Sequence, residues 1–135
     1  MFEKNEKPGG MLTYGIPCYK LERDVVEAEI DIIRALGVEI KCGVEVGKAI
    51  TLAALRKDGY EAFYIAIGCQ GSRKSGVDGE DADGVMSAVD ILHEIAENHD
   101  LDLKGNKTVV IGGGNVAVDV ARSTKRCGAD VLGMF

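Results

Sequence analysis

The run Gly112-Gly113-Gly114-Asn115-Val116-Ala117 constrains this chain more than any other feature. It fits the pattern G-x-G-x-x-G/A, which alone means little in a sequence with 18 glycines. Its setting gives it meaning. The β-branched stretch Lys107-Thr108-Val109-Val110-Ile111 leads straight into it. A helical pattern follows from Asn115 to Cys127, Gly128 closes that pattern, and Asp130–Phe135 begins a further strand. Strand, glycine turn, helix and strand are the context in which such a turn holds a dinucleotide. Gly112 permits the sharp turn, and Gly114 lets the backbone approach a pyrophosphate with no side chain between them. Ala117 keeps the helix close to the strand. The free amides and positive end of the helix at Asn115 then face the phosphates, with Gly113 and Val116 beside them. The plainer alternative is a strand-to-helix turn that binds nothing.

A carboxylate about 20 residues beyond the first glycine marks an NAD site, where it bonds the ribose. Here that place reads Val131-Leu132-Gly133-Met134-Phe135, with no acid. The pattern therefore favours NADP over NAD.

Elsewhere helix and strand patterns alternate. Pro8 to Pro17 holds three glycines and two prolines in ten residues, and predicts a loop with tight turns and no regular structure. From Glu22 to Leu36, Val26, Ile30, Ile33 and Leu36 recur at helical spacing, and Gly37 supplies a left-handed stop. Val38, Ile40 and Cys42 alternate with charged residues as in a half-buried strand, and a short strand is expected around Val44 and Val46. Thr51 caps a short helix through Lys57. Ala62–Ile67 is continuously apolar up to Gly68, the pattern of a strand covered on both faces. Cys69–Gly84 has no apolar period and reads as a linker. Ser87-Ala88-Val89-Asp90 fits a capping box, opening a helix whose apolar face comprises Val85, Val89, Leu92 and Ala96. The expected class is α/β, a Rossmann-like parallel sheet with helices on both faces.

Composition bounds function. With 46% hydrophobic and 28% charged residues the 135-residue chain is of globular type. A net charge of −6, with no Trp and no basic stripe, argues against nucleic acid. Met1–Gly10 is too polar for a signal or transit peptide and is expected to be a mobile lead-in as far as Lys7. No apolar run approaches the roughly 20 residues that span a bilayer, so no membrane partner and a cytoplasmic location are expected. Cys18, Cys42, Cys69 and Cys127 form no C-x-x-C pair and have no His at ligand spacing. They are expected to be reduced and mostly buried, with no metal site. His93 and His99 are expected to be exposed and non-catalytic, and no catalytic constellation can be assembled.

With these motifs placed, residues 8–135 resemble the FAD/NAD(P)H oxidoreductases of the glutamate synthase small (beta) subunit type, related to the amino-terminal part of dihydropyrimidine dehydrogenase. The resemblance rests on Gly9–Pro17 followed by Lys20-Leu21; Gly37-Val38-Glu39; Ala66-Ile67-Gly68; Gly79–Val85; and the glycine turn with Asp119. It implies nested domains, with residues 1–84 part of an FAD-binding domain and 85–135 the start of an NAD(P)-binding domain. It also implies hydride transfer from NADPH to FAD, with electrons passed on to iron–sulfur clusters. By the same resemblance Gly10, Met11 and Leu12 lie near the flavin, Lys20 contacts it, and Val46 sits by its adenine end. Ala66 to Gly68 form the turn leaving the FAD domain, and Gly112 to Ala117 hold the NADP pyrophosphate. Read alone, Lys20 is a lone surface charge, Asp119 a carboxylate favouring its helix terminus, and Gly9–Pro17 a surface loop.

Two departures go with the resemblance. The family's first glycine motif and its iron–sulfur cysteines, which come earlier, are absent, and the chain stops before the Arg residues that read a 2′-phosphate. A piece that starts inside one domain and ends inside the next is therefore expected to be inactive alone. Its unpaired sheet edges are expected to drive homo-oligomerisation, and a large catalytic subunit or iron–sulfur protein is the expected partner. The contrasting reading is a nucleotide-sensing or electron-transfer module with no catalysis of its own.

Overall fold

The structure, a computed structural model, describes residues 1–135. Its elements run α1 (Met11–Tyr14), α2 (Arg23–Ala35), α3 (Leu52–Lys57), α4 (Ala88–Glu97), β1 (Lys107–Val110), α5 (Asn115–Arg126) and β2 (Asp130–Met134). Two N-caps follow the expected chemistry. The Thr51 side chain accepts from the Ala54 amide and the Ser87 side chain from the Asp90 amide, each at 3.1 Å, satisfying a first-turn donor. Gly37 and Gly128 follow α2 and α5 with positive φ, as their positions predict.

β1 and β2 pair in parallel, Lys107 opposite Asp130 and Val110 opposite Met134, with an irregularity between Thr108 and Val109 where β2 carries one extra residue. On α5, Ala117, Val120, Ala121 and Thr124 form one stripe at i, i+3, i+4 and i+7. Ala117 and Val120 join Val110 of β1 with Ile91 and Leu92 of α4 in the core, edged by Ala88, Ile95, Leu101 and Ala121. Thr124 is buried without cost because its hydroxyl donates to the Val120 carbonyl at 2.8 Å.

Several expectations fail. Of the helices, α5 packs on the two strands, and Val109, Leu132 and Met134 remain exposed to solvent. Ala62–Ile67 is not a buried strand. It forms no ladder, and Tyr64, Ile65 and Ile67 are 95%, 71% and 83% exposed. A covered strand needs a neighbour on each side, and here only the Arg56 guanidinium lies over Phe63, with no backbone bonded to the segment. The strands expected at Val38–Cys42 and at Val44–Val46 shrink to isolated bridges, Phe2 with Lys41 and Val46 with Ile50. The partner of the first is the amino terminus. Residues 1–5 run alongside 39–44, with Glu3 bonded to Lys41 and Val44, so this segment is no free lead-in.

The Pro8–Pro17 segment does contain regular structure, the single turn α1. Gly9 at φ +111 makes it possible, since a Cβ there would stand 2.3 Å from the Thr13 hydroxyl. Of the α2 stripe only Val26 and Ile30 are buried, and Ile33 and Leu36 face solvent. Val85, expected on the apolar face of α4, lies before that helix and is exposed, whereas Ile91, absent from the expected face, is buried. No cysteine is buried: Cys18 and Cys69 are exposed, Cys42 and Cys127 half-buried. His93 is half-buried, its ring stacked on Tyr14 with centroids 4.6 Å apart.

Candidate functional site

The glycine turn sits where β1 hands the chain to α5. Gly112 has φ +127, a conformation that side chains resist, and its Cβ position lies 3.5 Å from that of Ala117. Its amide donates to the Phe135 carbonyl, while the Phe135 amide bonds Val110 at 3.0 Å, so β2 extends beside the turn. Gly112 and Ala117 therefore do what their positions in the motif require within the protein itself.

Gly114 is different. Its φ of −78° and ψ of 174° suit any residue, and a Cβ there would meet nothing within 4 Å. Gly113 is equally open. No contact inside the chain explains glycine at these two places. No side chain caps α5, and the first of its amides with a backbone partner is Val118, bonded to Gly114 at 3.1 Å. The amides of Asn115, Val116 and Ala117 thus remain at the positive end of a 12-residue helix with no partner in the protein. An open glycine surface beside unpaired, aligned N–H donors can take up an anion.

The second cluster is the loop around α1. Gly10 has φ +52 and faces the Gln70 amide, while Met11 and Leu12 stand 39% and 49% exposed. Arg23 at the start of α2 donates to the carbonyls of Leu12 (2.8 Å) and Ile16 (3.0 Å), which fixes the loop. The Tyr14 hydroxyl accepts from the Lys7 amide at 3.0 Å. Burial pushes the Tyr14 phenol above its usual range.

The candidate residues are gathered unequally. Ala66 and Gly68 lie in an exposed irregular stretch that leads to Gln70, and so to Gly10. Val46 belongs to a separate turn, bridged to Ile50. The Lys20 ammonium is held by Asp119, with 2.8 Å to each carboxylate oxygen. Sequence reasoning missed Tyr19, Arg23, Arg122 and Arg126. The spacing of Asp119, Arg122, Ser123 and Arg126 along one helix face was a readable signal for part of this group.

A cleft of about 260 Å³ opens between residues 15–19, the end of α4 and the far end of α5, bordered by Pro17, Leu92, Ile95 and Arg126. No residue of Gly112–Ala117 borders it, so the cleft and the unpaired amides are separate features.

The pattern of the pyridine nucleotide-disulphide oxidoreductases matches residues 9–133. The chain is 43% identical over 131 residues to the NADP(+)-dependent formate dehydrogenase subunit beta of Moorella thermoacetica, covering 96% of this chain and 18% of that protein. It is 34% identical over 139 residues to the glutamate synthase [NADPH] small chain of Escherichia coli (strain K12), covering 96% and 29%. Among solved structures, FprA of Mycobacterium tuberculosis in complex with NADPH superposes with a TM-score of 0.69 at 29% identity, over 90% of this chain and 28% of that one. The chain thus spans under a third of the length of these relatives. The fold class read from the sequence holds: Rossmann-like, with a parallel strand pair joined through a helix. No helix is long and apolar enough to cross a membrane.

Proposed function

The chain belongs to the pyridine nucleotide-disulphide oxidoreductase family, and from that premise we propose that it helps transfer hydride from NADPH to FAD. The observation that carries this reading is the open turn Gly113-Gly114 beneath the unpaired amides of Asn115, Val116 and Ala117. A pyrophosphate accounts both for glycine where the protein needs none and for donors left without partners. The names of the relatives support NADP over NAD, as does the lack of an acid from Val131 to Phe135.

In this reading residues 85–135 begin the NAD(P)-binding domain and 1–84 belong to the FAD-binding domain. The nicotinamide supplies a hydride that the flavin accepts. The protein's own work is to hold and align. Gly112–Ala117 bind the phosphates, and Gly10, Met11 and Leu12 present exposed backbone and apolar surface against which a flavin ring can lie. Ala66 and Gly68 belong to the turn between domains, Val46 to the adenine end, and Lys20 to the flavin side. No general acid or base is needed for hydride transfer, so alignment carries the rate. The relatives' names, "subunit beta" and "small chain", support an assembly with a larger catalytic subunit or an iron–sulfur protein that takes the electrons onward.

The test is the visible spectrum of the protein purified from its complete open reading frame, recorded anaerobically with FAD before and after NADPH or NADH. A yellow protein bleached by NADPH and slowly or not at all by NADH supports the reading. A colourless protein that leaves NADPH unoxidised overturns it in favour of a nucleotide-binding module without catalysis.

A further inference from the structure

Residues 19 and 20 grip α5 along a single stripe. Lys20 reaches both oxygens of Asp119 at 2.8 Å. The Tyr19 hydroxyl stands 3.4 Å from the Ser123 hydroxyl. The guanidinium carbons of Arg122 and Arg126 lie 4.6 and 4.1 Å from the centre of the Tyr19 ring. Asp119, Arg122, Ser123 and Arg126 occupy i, i+3, i+4 and i+7, so one helix face receives all four contacts. This face is distinct from the Ala117–Val120–Thr124 stripe that packs the core.

The location of the grip is informative. Asp119 lies two residues beyond Ala117, on the same rigid helix whose first amides stand at the glycine turn. Lys20 lies in the loop whose other end is Gly10–Leu12, and Arg23 pins that loop at Leu12 and Ile16. Asp119 is 7% exposed, so this pair is partly withdrawn from water, unlike the surface pairs elsewhere in the chain that contribute little. An unpaired carboxylate there would be costly, which makes the docked arrangement strongly preferred.

We propose that Lys20 and Tyr19 are positioning residues that lock the Gly10–Leu12 loop to the dinucleotide helix, fixing one cofactor segment relative to the other. The purpose of the lock rests on the cofactor assignment above; the lock itself does not. Hydride transfer is sensitive to small displacements of the reacting groups, and a pair joining residues 99 apart in sequence adds to the Tyr14–His93 stacking in holding the two segments in place.

Amide hydrogen exchange of the full chain tests this without any cofactor. The Leu12, Thr13 and Tyr14 amides are bonded to the Gly9 and Gly10 carbonyls. Lys20→Met is expected to speed their exchange about tenfold, while the Leu55 amide of α3, bonded to Thr51, exchanges as before. Lys20→Arg, which keeps a charged fork on Asp119, is expected to restore the slow rate. Unchanged exchange at Leu12–Tyr14 in Lys20→Met overturns the lock. Should Lys20→Met also speed Leu55, global unfolding is at work, and Lys20→Gln replaces it. An acceleration confined to Leu12–Tyr14 then supports the lock, and its absence overturns it.

NADP+ is added next. In the native chain and in Lys20→Arg, slowing at Asn115–Ala117 is expected to be accompanied by slowing at Leu12–Tyr14, and in Lys20→Met only the first should occur. Slowing at both places in Lys20→Met overturns the positioning role. No response to NADP+ at Asn115–Ala117 in the native chain counts against the cofactor assignment, while the ligand-free exchange result stands.

Discussion

Gly114→Ala separates a glycine required by the fold from one required by a ligand. At Gly114 the backbone is extended (φ −78°, ψ 174°) and a Cβ meets nothing within 4 Å. Alanine therefore fits without strain and stiffens the unfolded chain, a gain of about 0.4–1 kcal/mol, which is offset by a loss of similar size because Gly114 is the N-cap of α5, where glycine is preferred to alanine. At Gly112 the φ of +127 makes alanine strained by about 1–3 kcal/mol. For a chain of this size 1 kcal/mol shifts the melting temperature by roughly 4 °C. Gly114→Ala should thus melt close to the native chain and Gly112→Ala several degrees below it.

Ligand binding should rank the two the other way with respect to stability. A methyl group at position 114 stands where the pyrophosphate is proposed to approach the backbone, and displaces it from the amides of Asn115 and Val116. Losing one charge-assisted hydrogen bond costs about 1.5–3 kcal/mol, which weakens NADP+ binding by about one to two orders of magnitude. Circular-dichroism melts and calorimetric titration with NADP+ read the two effects on the same samples. If Gly114→Ala melts as low as Gly112→Ala, the fold itself needs that glycine. If it binds NADP+ as tightly as the native chain, nothing approaches the backbone there. Either result refutes the reasoning.

Three other outcomes are expected. Leu55 is 2% exposed, so Leu55→Ala should cost about 3 kcal/mol in urea denaturation; a loss below about 1 kcal/mol means the α3 region contributes little to the cooperative unit. Tyr14 has its phenol pKa raised above 10.0, first by burial. The neutral form is common to both states below that value, and above it the unfolded chain ionises first, so stability is lost as pH rises past about 10. Melts from pH 8 to 11 should show that loss in the native chain and a smaller one in Tyr14→Phe; equal slopes contradict it. Leu132 is 59% exposed on β2, so Leu132→Lys should remain monomeric to higher concentration in sedimentation equilibrium, and an unchanged association constant excludes that part of β2 from self-association.

The β1–turn–α5–β2 unit was legible because it is local. Strand, turn, helix and second strand follow one another from Lys107 to Met134, and each is marked by its own chemistry: β-branched residues, glycines, and an apolar stripe closed by Gly128. The N-caps at Thr51 and Ser87 were legible for the same reason. The Lys20–Asp119 pair was not, since 99 residues separate its members and nothing near Lys20 announces a carboxylate. Tyr19 carries no periodic signal of any kind, and its two arginine partners become visible only once the helix face is known.

The failures share a cause. Alternation at Val38–Cys42 and the apolar run at Ala62–Ile67 record side chains suited to a sheet, yet a strand exists only where another backbone accepts its hydrogen bonds. In this chain the first finds only residues 1–5 and the second finds nothing. The surface area agrees: a compact monomer of 14.4 kDa exposes roughly 6,800 Å², whereas this chain exposes 9818 Å². The excess includes Tyr64, Ile65 and Ile67, Val109 and Leu132 of the strand pair, and Phe135 at 81%. The core of Ile91, Leu92, Val110, Ala117 and Val120 joins α4, β1 and α5, Tyr14 of α1 stacks on His93 of α4 beside it, and the Tyr19–Lys20 grip adds a second tie, to α5. The segment whose strands and helix find one another nearby in the sequence is thus the part whose fold could be read, and the same short-range geometry that forms its turn leaves the Asn115–Ala117 amides open.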